Sequence, residues 1–377
     1  MIGYKFMGKA HSNAYRQIPV FFDPPLVPEM KVICGRDERG TKAAAERYGW
    51  QHYETSWQKV VARDDVDLVD ISTPTDSHAE IAIAAAKHGK HVLLEKPLAM
   101  NLAEAKTVVD AVTKAGVKHM ISFNYRHFPA LQLAKRMIDA GALGRIYHVR
   151  AVYLQDWLMN PEFPLVWRLR KEIAGSGSLG DLGAHIIDFA MFLVGDIESV
   201  SATAETFVKD RPIPTASQGL SATGGSERGK VTVDDAVVAL ARFANGALGT
   251  FEATRFALGH KNGGAFEING TAGSMRFNLE RLNELEYLDA KDGSELGFRT
   301  ILATEPSHPY MSAWWPPGHM IGWEHSHVHQ VFHLVDSIAN DRMPVPSLVD
   351  GLKNQAVLEA IGQSIADGAW HKVERVG

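Results

Sequence analysis

Lys96, Asp181 and His185 are the residues whose types and settings could act on a hydroxyl group. The apolar run His91–Leu94 leads directly into Glu95-Lys96-Pro97. That puts a lysine at the carboxyl end of a strand, where open α/β sheets bind their ligands. Its ammonium could hydrogen-bond a cofactor hydroxyl and the reacting substrate oxygen together, stabilising alkoxide charge as it develops. The glycine-rich run from Ala174 to Asp188 (AGSGSLGDLGAHIID) reads as a tight turn entering a helix. Asp181 and His185 stand at i and i+4 and so share a helix face. A histidine there can take a hydroxyl proton while hydride leaves the carbon. The aspartate can orient the imidazole, raise its basicity or touch the substrate itself. An N-capping aspartate beside a packed histidine has the same spacing, so the pair gains meaning only from what surrounds it.

The N-terminal run Gly3-Tyr4-Lys5-Phe6-Met7-Gly8 sets Gly3, Lys5 and Gly8 at the three glycine positions of G-x-G-x-x-G. In that motif the turn and the helix start after it cradle a pyrophosphate with backbone N–H groups. Lysine in the middle departs from the pattern: its side chain must point away from the pyrophosphate or set its ammonium beside it. Only Met1 and Ile2 precede the turn, whereas a parallel strand usually takes about five residues. Either the natural protein begins further upstream, which is the favoured expectation, or the first strand is clipped. A ribose-binding carboxylate is expected at the end of the next strand, which reads Cys34-Gly35-Arg36-Asp37. Gly35 stands where an acid would be most natural. Asp37 could reach the ribose of NAD(H), and Arg36 could pair with the 2′-phosphate of NADP(H). Both cofactors stay open, with NAD(H) slightly preferred.

The elements that must position these residues change character along the chain. Apolar runs at Lys31–Gly35, Asp67–Ser72, His91–Leu94 and Val117–Phe123 alternate with helix-like segments at Gly8–Gln17, Thr41–Tyr48, His78–His88 and Leu102–Ala115. That alternation implies right-handed crossovers and a doubly wound parallel sheet, an α/β dinucleotide-binding domain over residues 1–125. Residues 126–377 read as an α+β domain with an open, mostly antiparallel sheet. After a helix near Ala130–Ala140, strands are expected at Ile146–Gln155, Glu198–Val208, Ala236–Phe243, Ala247–Ala253, Gly264–Asn269 and Ser274–Asn278. Asn245-Gly246 marks a hairpin between two of them. The Gly-, Ser- and Pro-rich stretch Asp210–Lys230 is expected to be a long loop. Helices are expected from about His325 and over Asp350–Ala366.

Composition narrows the function classes. The chain has 377 residues, 45% hydrophobic and 22% charged, with a net charge of −5 that gives no reason to expect nucleic acid or an anionic membrane as partner. No apolar stretch approaches a membrane span, and the N-terminus has no signal-peptide pattern. One cysteine, Cys34, excludes an intrachain disulfide and a multi-thiolate metal site. A cytoplasmic location is expected. His329 and His333 have a spacing that can bind zinc. No glutamate lies between them, and the expectation is that no metal is bound.

The chain resembles the Gfo/Idh/MocA family of sugar and inositol dehydrogenases. The matching residues are GYKFMGKAHS at Gly3–Ser12, STPTDSHAEIA at Ser72–Ala82, and EKP at Glu95–Pro97. To these add FNYR at Phe123–Arg126, WR at Trp167-Arg168 and GSGSLGDLGAHIID ending at Asp188. The resemblance implies Lys96, Asp181 and His185 as the catalytic set, with His185 the base. It implies a cofactor site from Gly3, Lys5, Phe6, Met7, Gly8, Arg36, Asp37, Thr73, Pro74, His78, Glu95, Lys96 and Asn124. Arg126, Gln155, Asp156, Trp167 and Arg168, with the catalytic set and Asn124, are implied for the substrate pocket, joined by Trp323 or one of the late histidines. A homodimer or homotetramer assembled through the second domain's sheet is implied as well. The activity implied is oxidation of a ring hydroxyl of a sugar, anhydrosugar, glycoside or cyclic polyol to a ketone. The alternative is a non-catalytic dinucleotide- or sugar-binding regulator on the same fold. Lys96, Asp181 and His185 occurring together argues for catalysis.

Overall fold

In the computed structural model, which describes residues 1–218 and 221–376, the first half folds around a parallel sheet. In chain order its elements are Phe6–Phe21 (α1), Val32–Cys34 (β1), Glu38–Tyr48 (α2), His52–Glu54 (β2), Trp57–Val61 (α3), Leu68–Ile71 (β3), His78–Lys87 (α4), His91–Leu94 (β4), Leu102–Ala115 (α5) and His119–Ile121 (β5). β1 pairs with β2, β3 with β4, and β4 with β5, all parallel. Ile2 bridges β1 at Cys34 and β3 at Ile71, so the expected first strand is reduced to a bridge that joins the two halves of the sheet. Alternate strand residues feed opposite layers, as the pleat requires. Val92 and Leu94 pack with Ile81, Ala85 and Val108 of α4 and α5, whereas Leu93 packs with Ala14, Ile18 and Ala44 of α1 and α2.

The second half contains Pro129–Asp139 (α6), Ile146–Leu154 (β6), Lys171–Ala174 (α7), Ala184–Leu193 (α8), Ile197–Glu205 (β7), Asp210–Gln218 (β8), Ser221–Lys230 (β9), Ala236–Phe243 (β10), Leu248–Thr254 (β11), Gly263–Gly270 (β12), Gly273–Asn278 (β13), Glu284–Asp289 (β14), Arg299–Leu302 (β15), His325–Ala339 (α9), Leu348–Asp367 (α10) and His371–Lys372 (β16). Nine strands form one sheet in the order β15-β14-β13-β12-β6-β11-β10-β7-β16, antiparallel except for the β6–β11 pair. Its inner face carries Val149, Ala151, Phe251 and Phe266 and packs against Ile186 and Phe189 of α8 and Val357 and Ile361 of α10. The hairpin at Asn245-Gly246 forms as expected, with Gly246 at φ +89°.

One expectation is corrected here. Asp210–Lys230 is not a loop but the antiparallel pair β8–β9, with residues 219 and 220 outside the described residues. Its glycines mark close approach: a Cβ on Gly229 would fall 2.6 Å from Leu165 Cδ2, and one on Gly224 2.7 Å from Pro212 Cβ. Buried Arg211 pins the hairpin by donating to the carbonyl oxygens of Leu158 and Asn160. Of the two late helices, α10 packs on the large sheet, whereas α9 crosses to the first half. α9 returns to α1, where Val328, Val331, Leu334 and Val335 join Ala14, Ile18, Leu93 and Met120 in one core.

Candidate active site

The turn before α1 is shaped by space. Gly3 has φ +107°, and a Cβ there would fall 2.6 Å from the Ser72 carbonyl oxygen. A Cβ on Gly8 would fall 2.1 Å from the Gly3 oxygen. Lys5, between them, has φ −78°, an angle any residue adopts, which explains how lysine replaces the middle glycine. Its side chain is exposed. No side chain caps α1 and no acid lies in its first turn, so its amide donors remain open to an anion. Gly35 leaves room for the Tyr4 ring, which a Cβ would meet at 2.3 Å. Packing against that ring, rather than a ribose contact, is what excludes an acid at this position. Asp37 accepts from Gly40 N at 3.0 Å as the cap of α2 and lies 3.4 Å from the Tyr4 hydroxyl. Arg36 and Asp37 are both exposed. A tight glycine cradle, an uncapped helix start and an exposed carboxylate at the strand end together fit a dinucleotide.

Behind the turn lies a buried charge cluster absent from the expected site. His11 Nδ1 is 2.9 Å from Asp70 Oδ2, and its Nε2 is 3.1 Å from Glu95 Oε1. Tyr15 donates its hydroxyl to Asp70 at 3.0 Å. Burial opposes protonation of His11, but Asp70 and Glu95 outweigh it and hold the imidazolium up to about 10. His11 thus ties α1 to the ends of β3 and β4, and Glu95 turns inward beneath Lys96.

Lys96 and Asp181 meet where the end of β4 faces the turn before α8. Lys96 Nζ donates to the Asp181 carbonyl oxygen at 2.7 Å and lies 3.4 Å from Asp181 Oδ1. Leu179–Gly183 winds as a π-turn continuous with α8, a geometry often found at functional sites. Burial favours the neutral carboxyl of Asp181, yet Lys96, Arg168 and Arg255 overcome it and hold the group down to about 2. His185 is buried, and burial followed by the charge of Lys96 pushes its imidazole well below the usual range. It is therefore neutral near pH 7 and able to accept a proton. Its ring stacks on Tyr125 at 4.5 Å and meets Tyr153 edge-on at 5.9 Å. No hydrogen bond links it to Asp181 among the described residues, so the aspartate answers to the lysine, not to the imidazole.

A chain of hydrogen bonds forms the adjoining wall. Trp323 Nε1 donates to the Tyr125 hydroxyl at 3.2 Å, the Tyr125 and Tyr153 hydroxyls are 2.9 Å apart, and Tyr153 and Gln155 both donate to Asn262 Oδ1. Phe6 stacks on Trp323 at 5.6 Å, joining the glycine turn to this wall. Met7 is half-buried beside it, and Arg168 lies 4.4 Å over the Trp167 ring.

Several expected site residues are committed elsewhere. Arg126 is buried, with its guanidinium spread over Asp188 at 2.6 Å and Asp350 at 3.1 Å, an internal ion pair rather than a pocket group. His78 uses both ring nitrogens, on the carbonyl oxygens of Thr73 and Pro97, and so braces two strand-end loops. Pro74 enters the same loop, where the Ser77 hydroxyl donates to Thr73 Oγ1. Asn124 spends its amide nitrogen on Ser326 Oγ and His327 Nε2. Asp156 is turned to Lys261 at 2.6 Å and Gly259 N at 3.1 Å. Among the late histidines, His329 binds the His127 carbonyl oxygen through Nδ1 and accepts from Trp314 through Nε2.

Comparison with known proteins decides the family. A model described as oxidoreductase family, NAD-binding Rossmann fold, matches residues 1–123, and one for the GFO/IDH/MocA C-terminal domain matches residues 131–276.

The chain belongs to the Gfo/Idh/MocA oxidoreductase family.

Among its relatives in that family, levoglucosan dehydrogenase of Pseudarthrobacter phenanthrenivorans is 44% identical over 382 residues, covering 100% of this chain and 98% of the relative. The crystal structure of an oxidoreductase domain protein from Kribbella flavida is 54% identical with a TM-score of 0.95, covering 99% of this chain and 98% of that one. A levoglucosan dehydrogenase structure in complex with NADH and levoglucosan is 43% identical with a TM-score of 0.94, covering 100% and 98%. Within a Gfo/Idh/MocA frame, Tyr125 stands in the FNYR run and Tyr153 in the expected strand Ile146–Gln155, and neither is singled out by its spacing. His11 stands in the GYKFMGKAHS run, while Asp70 and Arg255 carry no local signal.

Proposed function

We propose that the protein oxidises a ring hydroxyl of a sugar, anhydrosugar, glycoside or cyclic polyol to a ketone, reversibly. The observation that carries this reading is the contact of Lys96 with Asp181 beside a neutral His185. Relatives named for levoglucosan and scyllo-inositol support the substrate class. Gly3, Gly8 and the start of α1 would hold the pyrophosphate, with the exposed Lys5 beside it. Asp37 would take the ribose hydroxyls, which favours NAD(H); the exposed Arg36 keeps NADP(H) within reach. When bound, the nicotinamide supplies the hydride acceptor.

The chain's own residues do the rest. Lys96 has three donors and spends two directions on Asp181, leaving one for the substrate oxygen. As the carbon–hydrogen bond breaks, His185 takes the hydroxyl proton, and Lys96 stabilises the negative charge building on that oxygen. Asp181, kept ionised, accepts from a neighbouring ring hydroxyl and holds Lys96 in line. Trp323, Tyr125, Tyr153 and Gln155 offer the mixture of flat apolar faces and polar tips that a polyhydroxylated ring needs. Val238, Leu240, Leu248 and Trp370 are exposed apolar groups beside or on the outer face of the large sheet, which supports assembly of like chains there. No helix among the described residues is long and apolar enough to cross a membrane, and the one thiol, Cys34, is buried, which suits a reducing cytoplasm.

The test is reduction of NAD or NADP, followed by nicotinamide absorbance, with levoglucosan, glucose, inositols and glycosides in turn. Turnover with a member of the panel is expected. Dinucleotide binding without turnover on any of them would move the reading to a regulatory protein.

A further inference from the structure

Arg255 follows β11 and is fully buried behind Asp181. Its Nη2 donates to the Asp234 carbonyl oxygen at 2.9 Å, and its Nη1 lies 3.8 Å from Asp181 Oδ2. Nε and Nη1 have no hydrogen-bond partner among the described residues. The Asp234 carboxylate accepts from Gly177 N at 2.7 Å, Ser178 Oγ at 2.6 Å and Leu179 N at 2.8 Å, so it caps the turn that carries Asp181. A Cβ on Gly177 would fall 1.8 Å from the Asp234 carbonyl oxygen and 2.6 Å from Arg255 Nη2. Guanidinium, cap and catalytic turn are therefore packed against one another.

A buried guanidinium is costly unless a carboxylate compensates it. Asp181 is the carboxylate within ion-pair range of Arg255 among the described residues. The Asp181 carboxylate lies between two cations, with Lys96 nearest Oδ1 and Arg255 nearest Oδ2. Lys96 must aim its ammonium at the substrate oxygen during the reaction, and Asp181 then loses part of that partner. We propose that Arg255 is a positioning residue: it holds the second oxygen of Asp181, keeping the carboxylate ionised and in place while Lys96 serves the substrate. This rests on the roles given above to Lys96, Asp181 and His185. The groups facing Asp181 are Lys96 from the end of β4, Arg168 from the Trp167–Leu169 turn, Arg255 from the end of β11 and His185 from α8, with Tyr125 and Tyr153 beyond.

The experiment compares wild type, Lys96→Ala, Arg255→Gln and Arg255→Lys on the sugar and dinucleotide that wild type turns over. Arg255→Gln should lower kcat by about tenfold to a hundredfold, the scale of a small misplacement at a reacting centre, with the dinucleotide KM unchanged. Its kcat should also fall off on the acid side at a higher pH than wild type, because Asp181 then protonates more readily. Arg255→Lys keeps the charge and should keep the wild-type acid limb. An Arg255→Gln enzyme with wild-type kcat and an unmoved pH profile overturns the proposal. If that variant does not fold, a cycle of Asp181→Asn, the similarly sized uncharged Arg255→Met and the double variant is read by thermal midpoint. Non-additive shifts are expected, and additive ones overturn the pairing with or without a known substrate. Activity surviving in Lys96→Ala would instead remove the parent reading.

Discussion

Lys96 Nζ donates to the backbone carbonyl oxygen of Asp181 at 2.7 Å, a bond across 85 residues that ties the end of β4 to the turn before α8. Because it uses a main-chain acceptor, the lysine is aimed by the fold of that turn and not only by a side-chain charge. Lys96→Ala should lower kcat by about a hundredfold or more, as loss of an aimed donor does, while dinucleotide affinity stays near wild type. Steady-state kinetics with a fluorescence titration of NADH checks both. Near-normal turnover would remove the lysine from the mechanism.

His185 is held neutral by burial and then by the charge of Lys96, so its base form is present well below its ordinary range. A base that must be unprotonated loses activity only as pH falls through its own value. The kcat should therefore stay level from neutrality down past about pH 6.5, where an unperturbed histidine would already be half protonated. His185→Asn should lower kcat by roughly 10²–10⁴. A wild-type profile that climbs through that ordinary histidine value would show an unshifted base.

His11 is raised to about 10 by Asp70 and Glu95 acting against burial, whereas its unfolded value is the ordinary 6.5. A raised pKa stabilises the fold fully below the unfolded value, and that contribution drains away as pH rises from there through about 10. Denaturant midpoints should fall over this window in wild type. In His11→Gln the unfolding free energies from the same titrations should vary less with pH and be lower at neutrality by about 3–5 kcal/mol, because two buried carboxylates lose their cation. Parallel wild-type and variant slopes would deny the linkage.

Asp37 both caps α2 and is placed to bind a ribose. Asparagine caps as well as aspartate does, so Asp37→Asn separates the roles. The KM for NAD should rise several-fold, since a charged acceptor is worth roughly 1.5–3 kcal/mol against 0.5–1.5 for a neutral one. The thermal midpoint should not move. An unchanged KM for NAD would take Asp37 out of the cofactor site.

What could be read from the sequence follows from how local each signal is. Leu102–Ala115, His91–Leu94 and Ala236–Phe243 were legible to the residue. For α5 the reasons are local, Asn101 capping it and Gly116 ending it in the left-handed region. β2 was missed because His52–Glu54 is an edge strand without a buried face. β8–β9 was missed because its glycines serve close packing, which looks the same as loop composition. In the site, Lys96, Asp181 and His185 stand in runs that carry their own context. Arg126 and His78 stand in equally telling runs, but adjacency to a motif does not say which way a side chain turns. The His11–Asp70 and Arg255–Asp181 pairs join residues from distant parts of the chain, and only the folded geometry brings them together.

The return of α9 to α1 has a consequence for how the protein is made. During synthesis the five strands of the first sheet are all available once Ile121 has emerged, yet the apolar stripe of Ala14 and Ile18 waits for Val328, Val331 and Val335. The nascent dinucleotide half thus carries a sticky, unroofed flank through some two hundred residues of translation. The dinucleotide half is roofed only once that far downstream segment has been made.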